Sequence, residues 1–427
     1  MNCGDFMRSD LPARDVLAGI HEGELLKLIL DLGNIESPYG FERNAAEFVA
    51  TWLSDNGFKV KTVGMSPERP NVAGILRGRG TGKTLIFNGH LDTAVSPHDT
   101  RIHRNPSAPF YRSAWCEDGQ LFGEGVQNDK GPLACTLIAA KALKESGVRL
   151  AGDVVVTAVV GETGLEPVDE FQGPSFLGKD IGTRYLLTHG GIWGDYALIA
   201  EGTDFGLAWV EAGKAFFKIT VYGESTYTPW LDRGLGHNTV VNAARVIQAI
   251  DRWAEEFSVN RKNEYGGGTV FPKVQVSAVR GGTPYYVTKG CEFCEIYVDV
   301  RLLPGEDPRI PWRELEAVLD GMGVRGEVDM FLHRRGYEAH DPHGLVEALS
   351  SSHETVFGEK PRMATPPFSS MWRDTNVFNE MGIPAVTYGP KRRCPIPVSD
   401  MVMATKVYAL TALMVCGLDR NSTSLHT

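Results

Sequence analysis

The stretch Thr84-Leu85-Ile86-Phe87-Asn88-Gly89-His90-Leu91-Asp92-Thr93 decides how this chain is read. Its first half is an apolar run too short for a helix, which predicts a buried strand. Its second half is a glycine turn carrying a histidine and an aspartate two residues apart. The same plan recurs twice. Residues 153–160 (DVVVTAVV) lead into Gly161-Glu162-Thr163-Gly164, and residues 196–200 (YALIA) lead into Glu201-Gly202-Thr203-Asp204. A helix is expected over 131–146, with Pro132 in its first turn. Strands alternating with helices predict an α/β domain with a mainly parallel sheet covered on both faces. Such sheets bind ligands beyond the carboxyl ends of their strands, where these histidine and acidic turns fall.

The pattern changes after Gly213. Residues 215–222 (AFFKITVY) alternate, as a half-buried strand does. A helix at 238–257, strands near 273–279 and 291–301, a helix at 308–321 and a strand near 326–332 complete a βαββαβ order, the ferredoxin-like arrangement. Doubly wound signals return at 345–357, 385–388 and 401–416. The expected organisation is a metal-binding catalytic domain, 1–212 plus 330–427, interrupted by a lid or dimerisation domain at 213–329.

The 427 residues carry 43 basic and 53 acidic side chains, a net charge of −10. That balance, with Lys391-Arg392-Arg393 as its one basic cluster, argues against a nucleic-acid partner. No membrane segment is expected. The first residues, MNCGDFMRSDLPARD, lack a basic start and an apolar stretch, and the seven cysteines are scattered and odd in number. Both point to a cytoplasmic protein with reduced thiols. Cys291 and Cys294 lie three apart in a strand pattern, on opposite faces, and are read as structural.

A histidine near an aspartate suits a metal-bound imidazole whose second nitrogen is fixed by a neighbour. Asp129, in the segment Gly123-Glu124-Gly125-Val126-Gln127-Asn128-Asp129-Lys130-Gly131, suits either a ligand or the cap of the following helix. Glu162 at a strand exit suits a general base or a solvated turn.

With these motifs in this order, the chain resembles the zinc-peptidase family of aminoacylases, acetylornithine deacetylase, succinyl-diaminopimelate desuccinylase and carboxypeptidase G. Asp299-Val300-Arg301 before Pro304-Gly305, and the stretches 372–375 and 382–390, extend the likeness over nearly the whole chain. The resemblance implies that His90, Asp129 and Glu201 hold a metal ion. It implies that Asp92 orients His90, that Glu162 is the general base, and that the Asp129–Lys130 peptide is cis.

Two positions depart from that family. Its second metal uses a second glutamate after the base and a C-terminal histidine. Here Thr163 and Ile396 stand at those places. The lid histidine is also displaced: Tyr227 holds its position, and His237 is the nearest substitute. The resemblance therefore implies one divalent ion per chain. An imidazole with two carboxylates favours Mn(II), with Zn(II) or another first-row ion as alternatives.

One ion in place of two calls for another electrophile, or for a substrate that disperses charge itself. In size and missing ligands the chain is similar to the family's aryl-amine aminohydrolases of nitroaromatic degradation. That likeness implies that water replaces the amine of 5-nitroanthranilate, giving 5-nitrosalicylate and ammonia. An amidase, dipeptidase or deacylase acting on N-acyl amino acids is the alternative, and a non-catalytic binding protein the second. The expected substrate is small and aromatic, with a carboxylate for Arg301 or Arg373; Tyr227 and His237 complete the expected substrate contacts. The family's lids pair with each other, which implies a homo-oligomer.

Overall fold

The computed structural model describes residues 11–96, 99–100, 102–231 and 238–419. In chain order the elements that carry the fold are α1 (Glu22–Gly33), α2 (Arg43–Asp55), β1 (Lys59–Val63), β2 (Asn71–Leu76), β3 (Leu85–His90), α3 (Gly131–Glu145), β4 (Val154–Val159), α4 (Thr183–Gly190) and β5 (Tyr196–Ile199). There follow β6 (Gly213–Tyr222), α5 (Thr239–Asn260), β7 (Val274–Gly281), β8 (Phe293–Leu302), α6 (Arg309–Gly321) and β9 (Gly326–Arg334). The chain closes with α7 (His343–Phe357), α8 (Asp374–Glu380), β10 (Ala385–Thr387) and α9 (Val398–Cys416).

Two compact units form. The first comprises residues 1–209, 339–365 and 373–427, and the second 210–338 and 366–372. The first is built on a six-stranded sheet in the order β1-β2-β4-β3-β5-β10. Strands β3, β4 and β5 are buried at every position, so their apolar runs need cover on both faces. β3 lies between β4 and β5 and runs parallel to both, and β10 is parallel to β5. β2 joins β4 antiparallel, and β1 joins β2 antiparallel. The carboxyl ends of β3, β4, β5 and β10 thus open on the same edge.

Helices cover this sheet through their apolar stripes. Leu25, Leu28, Ile29 and Leu32 of α1 are buried at helical spacing, as are Ala45, Ala46, Val49 and Leu53 of α2. α9 is long and apolar enough to cross a membrane by composition, yet Met401, Ala404, Val407, Tyr408 and Leu413 are packed in the core among α3 and α7. It is a core helix.

In the second unit, β6-α5-β7-β8-α6-β9 follows the βαββαβ order, with an antiparallel sheet ordered β7-β8-β6-β9. Phe217, Ile219, Val246, Ile250, Ile296, Val298, Leu315 and Leu319 make its separate core. Asn238 caps α5 by accepting the Val241 N–H at 3.1 Å. The second unit runs further than residues 213–329. β9 continues to Arg334, and the short segment 366–372 joins this unit through Ala212 N–H to Ser369 O (3.1 Å) and Trp372 Nε1–H to Arg335 O (3.0 Å).

Candidate active site

His90 is the last residue of β3, Glu162 lies just past β4 and Glu201 just past β5, so three adjacent parallel strands deliver them to one edge. Asp129 comes from the turn that enters α3. Gly161 makes the bend before Glu162 at φ +71°, and a Cβ there would lie 2.8 Å from Gly178 O. A side chain would fit neither the backbone conformation nor the space.

All four residues are buried. Ligand atoms of His90, Glu162 and Glu201 lie within 4.8 Å of one another. Asp129 adjoins them, its Oδ2 accepting the His90 backbone N–H at 3.3 Å. His90 Nε2, Asp129 Oδ1 and Glu201 Oε1 are buried without a hydrogen-bond partner. Buried polar atoms are rarely left unpaired, because each forfeits its hydration. An imidazole nitrogen and carboxylate oxygens are also a first-row cation's donor set; the three whose atoms converge are His90, Glu162 and Glu201, with Asp129 beside them rather than among them, and the cluster fits a divalent ion.

His90 Nδ1 points at the Asp92 backbone oxygen, 3.0 Å away, with the Asp92 carboxylate further off at 3.6 Å. Asp92 therefore fixes the ring chiefly through its carbonyl. Its carboxylate is taken elsewhere, accepting the N–H of Glu162 (3.0 Å), the N–H of Thr163 (2.7 Å) and the Thr163 hydroxyl. Thr163 thus braces Asp92. Ile396, at the expected histidine position, is buried in the apolar core.

Charge around the site is dense. Burial opposes ionisation of Asp92, but His90 and the donors from Thr163 and Glu162 outweigh it and hold the carboxyl below its ordinary range. Burial, with Glu201 adding to it, raises Asp129 well above that range. Glu201 is lowered despite burial, because Arg373 and Arg392 stand beside it. Burial would depress His90, yet Asp92, Asp129, Glu162 and Glu201 together raise it to about 9. Four carboxylates drawn around one imidazole describe a pocket for positive charge.

Three cationic partners have no motif in the sequence to announce them as a set. Lys179, from the loop before α4, contacts Glu162 Oε1. Arg373, at the start of α8, lies with Nε 2.9 Å from Glu201 Oε2, and Arg392, past β10, donates to the same oxygen at 2.8 Å. Arg373, expected among the substrate contacts, is buried and has its guanidinium against the Glu201 carboxylate. Tyr227 and Arg301 belong to the second unit. Tyr227 packs edge-on against Trp230, and Arg301 is bonded to Asp299. His237 lies outside the described residues. The non-proline cis bond is Asn128–Asp129, one residue before the position expected.

Fold and site together define a two-unit α/β protein with a buried candidate metal-binding cluster at the carboxyl edge of its sheet. Residues 86–413 match the model of peptidase family M20/M25/M40, and the chain belongs to that family. It hydrolyses C–N bonds with the help of a divalent metal ion. It is similar to the N-formyl-4-amino-5-aminomethyl-2-methylpyrimidine deformylase of Bacillus subtilis, 25% identical over 411 residues that cover 87% of this chain and 88% of the relative. It is similar also to the acetylornithine deacetylase of Myxococcus xanthus, 24% identical over 377 residues, 82% and 85% of the two chains. The crystal structure of the Bacillus subtilis YXEP protein, described as a dinuclear metal-binding peptidase, shares the fold with a TM-score of 0.60 at 15% identity, covering 92% of this chain and 98% of that one.

Proposed function

We propose that this chain is a mononuclear member of its family, holding one divalent ion, Mn(II) in the first instance, through His90, Asp129 and Glu201. The observation that carries this reading is the trio of buried donor atoms without partners, one from each of those residues. A divalent ion supplies Lewis acidity and lowers the pKa of water it coordinates. Glu162 is the general base. Lys179 occupies its Oε1, which leaves Oε2, 3.8 Å from His90 Nε2, to take a proton from the attacking water.

The first substrates to test are N-formyl and N-acyl amines, the bond type cleaved by the deformylase and deacetylase named above. A second reading is favoured by Thr163 and Ile396, which replace both ligands of a second ion. It is exchange of the amine of 5-nitroanthranilate for hydroxyl, where the nitro group disperses the charge. Formate or free amine release marks the first reading, and ammonia with 5-nitrosalicylate the second. We propose further that the chain assembles through the second unit, where β7 is a sheet edge paired only with β8 among the described strands, and that it resides in a reducing, cytoplasmic environment, the six described cysteines all being free thiols.

The decisive experiment loads the purified protein with Mn(II), removes loose metal and counts ions. One ion per chain is expected, with activity lost on chelation and restored by the metal. Glu162→Gln should keep the ion and lose roughly 10²–10⁴-fold in turnover. Two tightly held ions, or undiminished activity after thorough chelation, would sink this reading.

A further inference from the structure

Arg373 and Arg392 both approach one oxygen of Glu201. The distances are 2.9 Å from Arg373 Nε and 2.8 Å from Arg392 Nη1 to Oε2, whereas Oε1 is the buried atom without a partner. A carboxylate held in this way presents one oxygen to an ion and is not available to chelate with two. Lys179 holds one oxygen of Glu162 in similar fashion.

Three cationic side chains thus stand against the four carboxylates Asp92, Asp129, Glu162 and Glu201. Each of these cations already offsets part of the negative charge that draws a divalent ion, and repulsion in a buried site is weakly screened, so together they oppose a second ion. The charge a second ion would bring is already present as ammonium and guanidinium.

We propose that Arg392, backed by Arg373, stands in for a second cation and offers its remaining guanidinium edge to the oxyanion of the substrate at the bond attacked. The proposal rests on the one-ion reading above. Arg392 takes this part because it alone is open to an incoming molecule. Its side chain is 21% exposed, against 2% for Arg373 and 5% for Lys179. Its guanidinium spends only Nη1 on Glu201, so most of its five N–H groups remain to meet an anion. Its main chain is fixed as well. The Arg392 N–H donates to Asp204 Oδ1 at 2.8 Å, and a Cβ on Gly202 would come within 2.7 Å of Arg392 Cα. The loop past β10 is therefore pressed against the turn that carries Glu201, and a planar fork held there suits a carboxylate or carbonyl oxygen.

Benzoate and its uncharged counterpart benzamide are titrated calorimetrically into Mn(II)-loaded protein and into Arg392→Gln, after ion content is measured in each. The expected result is one ion per chain in both, benzoate at least ten-fold weaker in the variant, and benzamide within two-fold. Arg392→Lys should recover part of the benzoate affinity. Unchanged benzoate binding overturns the proposal. So does a parallel loss of both probes, or loss of the ion from Arg392→Gln, since either would make Arg392 only a prop for Glu201. Wild-type protein that binds no divalent ion refutes the one-ion reading instead, and the same titrations on metal-free protein then still decide whether Arg392 receives the anion. Turnover separates two sources of the charge. An equal loss with N-formylglycine and N-formylbenzylamine is expected and assigns it to the oxygen at the bond attacked; a loss confined to N-formylglycine assigns it to the substrate's own carboxylate and overturns the proposal, as does no loss with either.

Discussion

Asp374 shows how far a single buried carboxyl can set the behaviour of this site. It accepts hydrogen bonds from Thr183 Oγ1 (2.7 Å) and Asn88 Nδ2 (3.0 Å), yet burial first, and the charge of Glu162 second, raise its pKa from 3.8 to about 6. The folded protein therefore binds this proton more tightly than the unfolded chain does. Stability falls as pH rises from about 4 to about 6, and above that window the full cost of an ionised buried carboxylate is borne. Asp374→Asn keeps an oxygen for both donors and removes the charge. In metal-free protein it should flatten the pH dependence between 4 and 6 and stabilise by about 1–3 kcal/mol at pH 7. Denaturant melts at pH 4, 5, 6 and 7 read this directly, and an unaltered slope would show that Asp374 is not the group responsible. At this scale the sequence discloses only part of the site. His90, Asp92, Asp129, Glu162 and Glu201 are visible because each sits in a short turn at a strand exit or a helix entry. Thr163 is visible as a missing ligand, but its bond to Asp92 is not. Lys179, Arg373 and Arg392 are scattered over 214 positions and meet only when the sheet closes.

The 161–182 segment between β4 and α4 carries Lys179, and it owes its course to charges buried elsewhere. Arg69 donates Nε to Glu42 Oε2 at 2.8 Å and Nη1 to the carbonyls of Pro174 (3.1 Å) and Leu177 (2.5 Å). Asn71 bonds the two ends of the same segment, accepting from Val160 N–H (3.0 Å) and donating to Ile181 O (2.7 Å). Arg69→Met strands the Glu42 carboxylate and frees two carbonyls, and should cost about 3–5 kcal/mol. Hydrogen exchange should rise across residues 164–178, and turnover should fall as Lys179 loses its place at Glu162. The double variant Arg69→Met with Glu42→Gln should lose less than the sum of the two single changes, because no charge is left unpaired. Strict additivity would mean that the two side chains act independently. The strands themselves are plain in the sequence, since TLIFN, DVVVTAVV and YALIA are short, mainly apolar runs with no charge inside them. The direction in which β2 pairs is not, because a run buried on both faces reads alike in parallel and antiparallel surroundings, and β1, exposed or half-exposed along KVKTV, has no apolar run to read. The long loop has no periodicity to read, being ordered by side chains remote in sequence.

For the molecule as a whole, the two units differ in what an ion does for them. Every residue assigned to the ion belongs to the first unit, and the second has its own apolar core around Phe217, Val246, Ile296 and Leu315. That division is legible in the switch from mainly apolar runs to alternation near residue 213. Its far boundary is not, because the segment 366–372, only seven residues long, joins the second unit through contacts that leave no pattern in the sequence. An ion that binds the folded state alone stabilises it in proportion to the logarithm of its concentration over Kd. At a hundred-fold excess over Kd that amounts to about 2.7 kcal/mol. Mn(II) should therefore raise the melting of the first unit by roughly 5–10 °C. Exchange protection should deepen in β3, β4, β5 and α3, while β6 and β8 stay within error of the metal-free protein. Hydrogen exchange followed by mass spectrometry, with and without Mn(II), resolves these peptides. An equal gain in both units would mean that they unfold as one, and no gain in β3 or α3 would remove the ion from His90 and Asp129.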